Sequence, residues 1–139
     1  MPKHHISLHN DIEEIPLLAE FVDQVCADGG VDDSMVMSLN LAIEEAVTNV
    51  MVYAYPEGTT GMVDVEAETD GGMLTFVISD GGKAFDPTRQ ERADITLGVE
   101  ERPIGGLGIF LVREIMDEVA YERSDNRNVL TLRKTLKSE

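Results

Sequence analysis

Glu45 and Asn49 stand four residues apart in the run Glu44-Glu45-Ala46-Val47-Thr48-Asn49. On a helix, that spacing brings a carboxylate and a carboxamide to one side. A side-chain amide oxygen can join water and phosphate oxygens around Mg²⁺. A carboxylate one turn away can take a proton from an attacking hydroxyl or water. A second run, Asp80-Gly81-Gly82-Lys83-Ala84-Phe85-Asp86-Pro87, ends an apolar strand in a carboxylate followed by glycines. Backbone can approach a flat ligand closely there: the carboxylate can accept an exocyclic amine, and Gly82 gives the ring room. A third run, Gly105-Gly106-Leu107-Gly108-Ile109-Phe110-Leu111, is a glycine turn opening a helix. Its free N–H groups and helix dipole favour an anion. Each run also has a plainer reading: a solvated or capping pair, a strand-to-turn exit, and a loop into a helix. The third is no Walker loop, because no Gly-Lys-Ser/Thr follows, and it lacks the strand context of a Rossmann fingerprint. In this order and spacing, metal and base, purine, and phosphate functions together point to ATP.

These residues need elements to hold them. His4 to Leu8 reads as a short leading strand, and Leu17, Leu18, Phe21, Val22 and Val25 recur at helical spacing between Ile15 and Ala27. Pro16 suits a first helical turn. Asp32, Asp33 and Ser34 cap a second helix, whose ridge runs Val36, Leu39, Ile43, Ala46, Val47, Val50 and Ala54 before Pro56-Glu57-Gly58 ends it. Glu45 and Asn49 lie beside that ridge, with Asn40, Glu44 and Thr48 on a wetter face. Val63, Val65 and Ala67 alternate with acids into the turn Asp70-Gly71-Gly72. Leu74, Phe76 and Ile78 share one parity that Asp80 continues, so the carboxylate points inward. An inward carboxylate is costly unless something bonds it, which marks a site. Thr88 to Pro103 is polar and aperiodic, as expected of a mobile lid. A helix is predicted from about Leu107 to Met116, then a hairpin of Val119–Arg123 and Val129–Lys134 around Ser124-Asp125-Asn126-Arg127. Hairpins separated by helices predict a two-layer α+β sandwich, with a mixed, mostly antiparallel sheet covered on one face.

The 139-residue chain is read as one domain, 1–139, of ordinary globular composition with 42% apolar residues. The single Cys26 predicts a buried thiol in a reducing compartment. No apolar run is expected to approach membrane-span length, so the expected location is cytoplasmic. Formal net charge is −16, which argues against nucleic acid and anionic membranes as partners. No lysine or arginine occurs between Lys3 and Lys83, while acids run from Asp11 to Asp80. That stretch is either a solvated acidic face or a docking surface for a basic protein. His4, His5 and His9 have no cysteine cluster near them and are read as structural or solvent-facing.

With these runs in view, the chain resembles the ATP-binding superfamily of gyrase, heat-shock chaperones, histidine kinases and mismatch-repair ATPases, which share the Bergerat fold. Glu45 through Asn49 matches the asparagine box, Asp80 through Ala84 the first glycine box, and Gly106 through Leu111 the second. Within that group it looks most like the stand-alone anti-sigma factor serine/threonine kinases of bacterial partner-switching systems. The resemblance implies an ATP-binding set of Asn49, Asp80, Gly82, Ala84, Gly105, Gly106, Leu107 and Gly108, with Mg²⁺ on Asn49 and Glu45 as catalytic base. A lid arginine, Arg89, Arg92 or Arg102, would add to phosphate stabilisation. It further implies transfer of the ATP γ-phosphoryl group to an anti-sigma-factor antagonist, sequestration of a sigma factor in the other state, and a homodimer. The alternative is a binding module in which ATP or ADP merely sets partner choice.

Overall fold

The computed structural model describes residues 3–56, 58–89 and 108–136. In order these form β1 (Lys3–His9), α1 (Ile15–Gly29), α2 (Asp33–Tyr53), β2 (Met62–Asp70), β3 (Met73–Asp80), α3 (Gly108–Ile115), β4 (Glu118–Ser124) and β5 (Arg127–Thr135). A short 3₁₀ turn, Ile12–Glu14, capped by the Asp11 side chain, leads into α1, whose first turn holds Pro16. That placement uses the one part of a helix where a missing N–H costs nothing. Gly30 ends α1 in the left-handed region at φ 69°. Asp32 caps α2 by accepting the Ser34 N–H at 3.0 Å.

The five strands form one sheet in the order β1-β2-β3-β5-β4. All four ladders are antiparallel, so the mixed component of the expectation is absent among the described residues. β2–β3 and β4–β5 are tight hairpins, β1 reaches β2 through α1 and α2, and the connection between β3 and β5 runs through α3 and β4. Gly71 and Gly72, at φ 62° and 82°, close the β2–β3 hairpin; Asp125 and Asn126, at φ 54° and 63°, close the β4–β5 hairpin. Both are two-residue turns with positive φ, the pair of angles that matches strand twist. The second is shorter than the four-residue turn read from sequence, because Asp and Asn tolerate this conformation almost as glycine does.

Alternate residues of the inner strands, Val63, Val65 and Ala67 on β2 and Leu74, Phe76 and Ile78 on β3, are buried with Leu130 and Leu132 of β5. Leu39, Ile43, Ala46, Val47 and Val50 of α2 close the same core. Contrary to the reading that no run nears span length, α2 is long and apolar enough to cross a membrane, with a mean hydropathy of 1.3. Its composition follows from its position, flanked by α1 and α3 and packed over the sheet.

Candidate functional site

Asn49 lies on α2 with 1% exposure, and neither its Oδ1 nor its Nδ2 has a hydrogen-bond partner among the described residues. Glu45, one turn earlier and half-buried, makes no hydrogen bond or ion pair with another described residue. Its neighbour Glu44 is also half-buried, and its carboxyl is pushed up, first by burial and then by the charge of Glu45. Helical spacing gave Glu45 and Asn49 one side; packing made Asn49 a core residue rather than one beside the core.

Asp80 ends β3 with 1% exposure, inward as its parity predicts. Its Oδ1 accepts the Gly82 N–H at 2.8 Å and the Asn128 amide at 2.9 Å, while Oδ2 has no partner among the described residues. Burial raises this carboxyl above the ordinary range, against the hydrogen bonds from Asn128 and Gly82 and the positive charges of Arg127 and Arg123.

The segment after Asp80 is fastened to the end of α2. The Gly81 N–H reaches the Tyr55 hydroxyl at 3.2 Å, and the Lys83 N–H reaches the Ala54 carbonyl at 2.8 Å. Tyr53 stacks on Phe85 with ring centroids 5.2 Å apart. A Cβ at Gly82 would overlap the Ala54 carbonyl oxygen. The glycine expected to make room for a ring is therefore required by the contact with α2. Asp80 and Asn49 are thus brought to one end of the molecule by a backbone splice between β3 and α2. Ala84 is exposed at the edge of an open cleft of about 530 Å³ shared with Phe85, Tyr121 and Arg123.

Gly108 opens α3, which packs beside α2. Gly105, Gly106, Leu107, Arg92 and Arg102 lie outside the described residues, and Arg89 closes the 3₁₀ turn Pro87–Arg89.

Asn128 escaped the sequence reading. It is 3% exposed at the start of β5 and faces Asp80 in the strand register. A signal existed: Asn128 shares parity with Leu130 and Leu132, the same inward phase that exposed Asp80.

A larger open cleft, about 870 Å³, lies elsewhere, between His9–Glu14 and Met51, Val52 and Gly58–Thr60. It holds none of the candidate site residues, and its half-buried polar side chains are paired, Asn10 with the Thr59 carbonyl and Gly61 N–H and Glu14 with His9. No cluster of metal-ligating side chains occurs among the described residues; His4, His5 and His9 instead face Asp28, Asp64 and Glu14. Cys26 is buried and its thiol is pushed up to about 11, by burial first and then by Asp23. The acids do not gather on one face. Glu13 and Asp23 are exposed at the helical layer, whereas Glu66 projects from the open side of the sheet.

This architecture and these runs define a nucleotide-binding α+β sandwich. The sequence matches the histidine kinase-like ATPase domain family over residues 8–134, and the chain belongs to that family. It is 29% identical over 128 residues to the serine-protein kinase RsbW of Bacillus thuringiensis, covering 84% of this chain and 79% of that one. It is 28% identical over 95 residues to the serine/threonine-protein kinase BtrW of Bordetella bronchiseptica, covering 68% and 67%. Among solved structures, the crystallised RsbU and RsbW domains of Rv1364c from Mycobacterium tuberculosis superpose with TM-score 0.69 at 19% identity. That match takes in 100% of this chain, which spans only 34% of the crystallised one. The catalytic domain of the histidine kinase ThkA superposes with TM-score 0.56 at 16% identity over the full length of both chains.

Proposed function

We propose that this protein is an ATP-dependent serine/threonine kinase and anti-sigma factor of a bacterial partner-switching system. It phosphorylates an anti-sigma-factor antagonist and, in its other state, sequesters a sigma factor. It works in the cytoplasm as a homodimer. One observation carries the nucleotide part of this reading. Three deeply buried polar atoms, Oδ1 and Nδ2 of Asn49 and Oδ2 of Asp80, lack partners among the described residues at the joined ends of α2 and β3. Buried polar atoms are rarely left so unless a ligand satisfies them.

The donor set fits the expected groups. Asp80 Oδ2 accepts an exocyclic purine amine, and the Asn49 amide offers both a hard oxygen and N–H donors near phosphate. Asn49 Oδ1 would hold Mg²⁺, which neutralises charge on the phosphates when bound. Glu45 accepts the proton of the acceptor hydroxyl as its oxygen bonds to the γ-phosphorus and the bond to the bridging oxygen of ADP breaks. The backbone N–H groups of the glycine turn at 105–108 hold the phosphates, and an arginine at 89, 92 or 102 adds positive charge there.

The test is direct. Purified protein, Mg²⁺–ATP and the antagonist that co-purifies with it should yield a phosphoserine or phosphothreonine by mass spectrometry. The sigma factor and the antagonist should exchange between ATP and ADP pull-downs. Nucleotide binding without any phosphoryl transfer would replace the kinase with a nucleotide-set binding module.

A further inference from the structure

We infer that Asn128 is a positioning residue that makes the Asp80 site prefer a 6-amino purine to a 6-oxo purine, by holding Asp80 as an acceptor with one open oxygen. This deepens the nucleotide reading above and rests on it.

Every polar atom of the Asn128 amide is used. Its Nδ2 donates to Asp80 Oδ1 at 2.9 Å and to the Lys83 carbonyl at 2.8 Å. Its Oδ1 accepts from the Phe85 N–H at 3.1 Å, from Arg123 at 3.2 Å and from the Tyr121 hydroxyl. This pattern fixes the amide's orientation. Turned over, it would set oxygen against two acceptors and N–H groups against backbone and guanidinium donors. Asn128 therefore points only donors at Asp80.

The consequence for Asp80 is specific. With the Gly82 N–H and the Asn128 amide both on Oδ1, the carboxylate cannot turn, and Oδ2 is the one oxygen left for a ligand. An ionised carboxylate only accepts. A 6-amino group satisfies it, whereas a 6-oxo group presents lone pairs to lone pairs. The groups that face Asp80 from neighbouring elements are Arg123 of β4, Arg127 of β5 and Tyr55 after α2. They remain if Asn128 is changed, as does the Gly82 N–H, but the side-chain amide donor to Asp80 is then lost. Burial would push Asp80 toward its protonated form, which donates as well as accepts and so tolerates either base.

The measurement is the ratio of ITP to ATP dissociation constants in Mg²⁺ buffer at neutral pH, by calorimetry. Wild type should favour ATP by about a hundredfold. Asn128→Asp keeps size and shape but removes the donors, and should cut that preference at least tenfold. Asn128→Thr, which retains one donor, should fall between. A purely structural role would weaken both nucleotides equally and leave the ratio intact. A wild-type ratio near one, or an unchanged ratio in folded Asn128→Asp, overturns the inference while the ATP site stands. Wild type that binds neither nucleotide overturns the site itself.

Discussion

The Lys83 N–H donates to the Ala54 carbonyl at 2.8 Å, joining the loop after β3 to the last turn of α2. This bond and the close passage of Gly82 hold the segment after Asp80 against the end of α2, the helix that carries Asn49. A side chain at position 82 cannot be accommodated without parting them. Gly82→Ala should therefore lower stability by about 1–3 kcal/mol, the usual cost of overpacking. It should weaken ATP more than simple destabilisation explains. Denaturant titration beside calorimetry checks both; a variant as stable as wild type would show that the splice is soft.

Glu45→Gln should leave ATP affinity within about twofold and slow phosphoryl transfer roughly a hundredfold or more, the range for a lost general base. Single-turnover assays with the cognate antagonist read this. Transfer at the wild-type rate would remove Glu45 from the chemistry.

Asn49→Ala should abolish the Mg²⁺-dependent increment of ATP binding. Its effect on stability should be mild, because the amide it removes has no partner to strand. Calorimetry with and without Mg²⁺ checks the first point and thermal melting the second. An intact Mg²⁺ increment would move the metal elsewhere.

Asp80 gives stability and binding opposite pH dependences. Its carboxyl is raised in the folded protein, chiefly by burial. Its contribution to nucleotide-free stability is thus full below the unfolded value, about 3.9, and is lost as pH rises through the raised folded value. ATP binding needs the ionised form, so affinity should rise across the same window. Asp80→Asn should flatten this component of the melting-temperature profile and stabilise the nucleotide-free protein at neutral pH. It should weaken ATP about tenfold or more. Melts and titrations between pH 4 and 8 decide; parallel trends in wild type would contradict the assignment.

Charge reversal should act on one side only. Glu13 and Asp23 belong to the helical layer and Glu66 to the open sheet face, so one sigma factor docking against one layer feels only one set. Glu13→Lys with Asp23→Lys, and Glu66→Lys separately, should differ severalfold in their effect on association rate at low salt. The difference should shrink as salt rises. Stopped-flow rates that change equally in both variants would point to long-range attraction without a docking face.

What could be read beforehand was whatever depends on neighbours in sequence. Parity along Leu74, Phe76 and Ile78 carried Asp80 inward, and Gly71-Gly72 announced its hairpin. Asp32 announced the start of α2. Contacts between distant segments were not legible. Gly82 looked like space for a ligand because nothing local reveals the Ala54 carbonyl beside it. Asn128 fell between the expected turn and the expected strand, and its meaning comes from facing Asp80 across the β3–β5 ladder.

The unmatched atoms of Asn49 and Asp80 also bear on how long the protein survives in a cell. A nucleotide that satisfies them binds the folded chain and not the unfolded one, and at a hundred times its dissociation constant it adds about 2.7 kcal/mol. Proteases act on the fraction that opens, so turnover would slow when that nucleotide is plentiful and quicken when it is scarce. A regulator built this way would have its abundance, as well as its activity, tied to the supply of the nucleotide it holds.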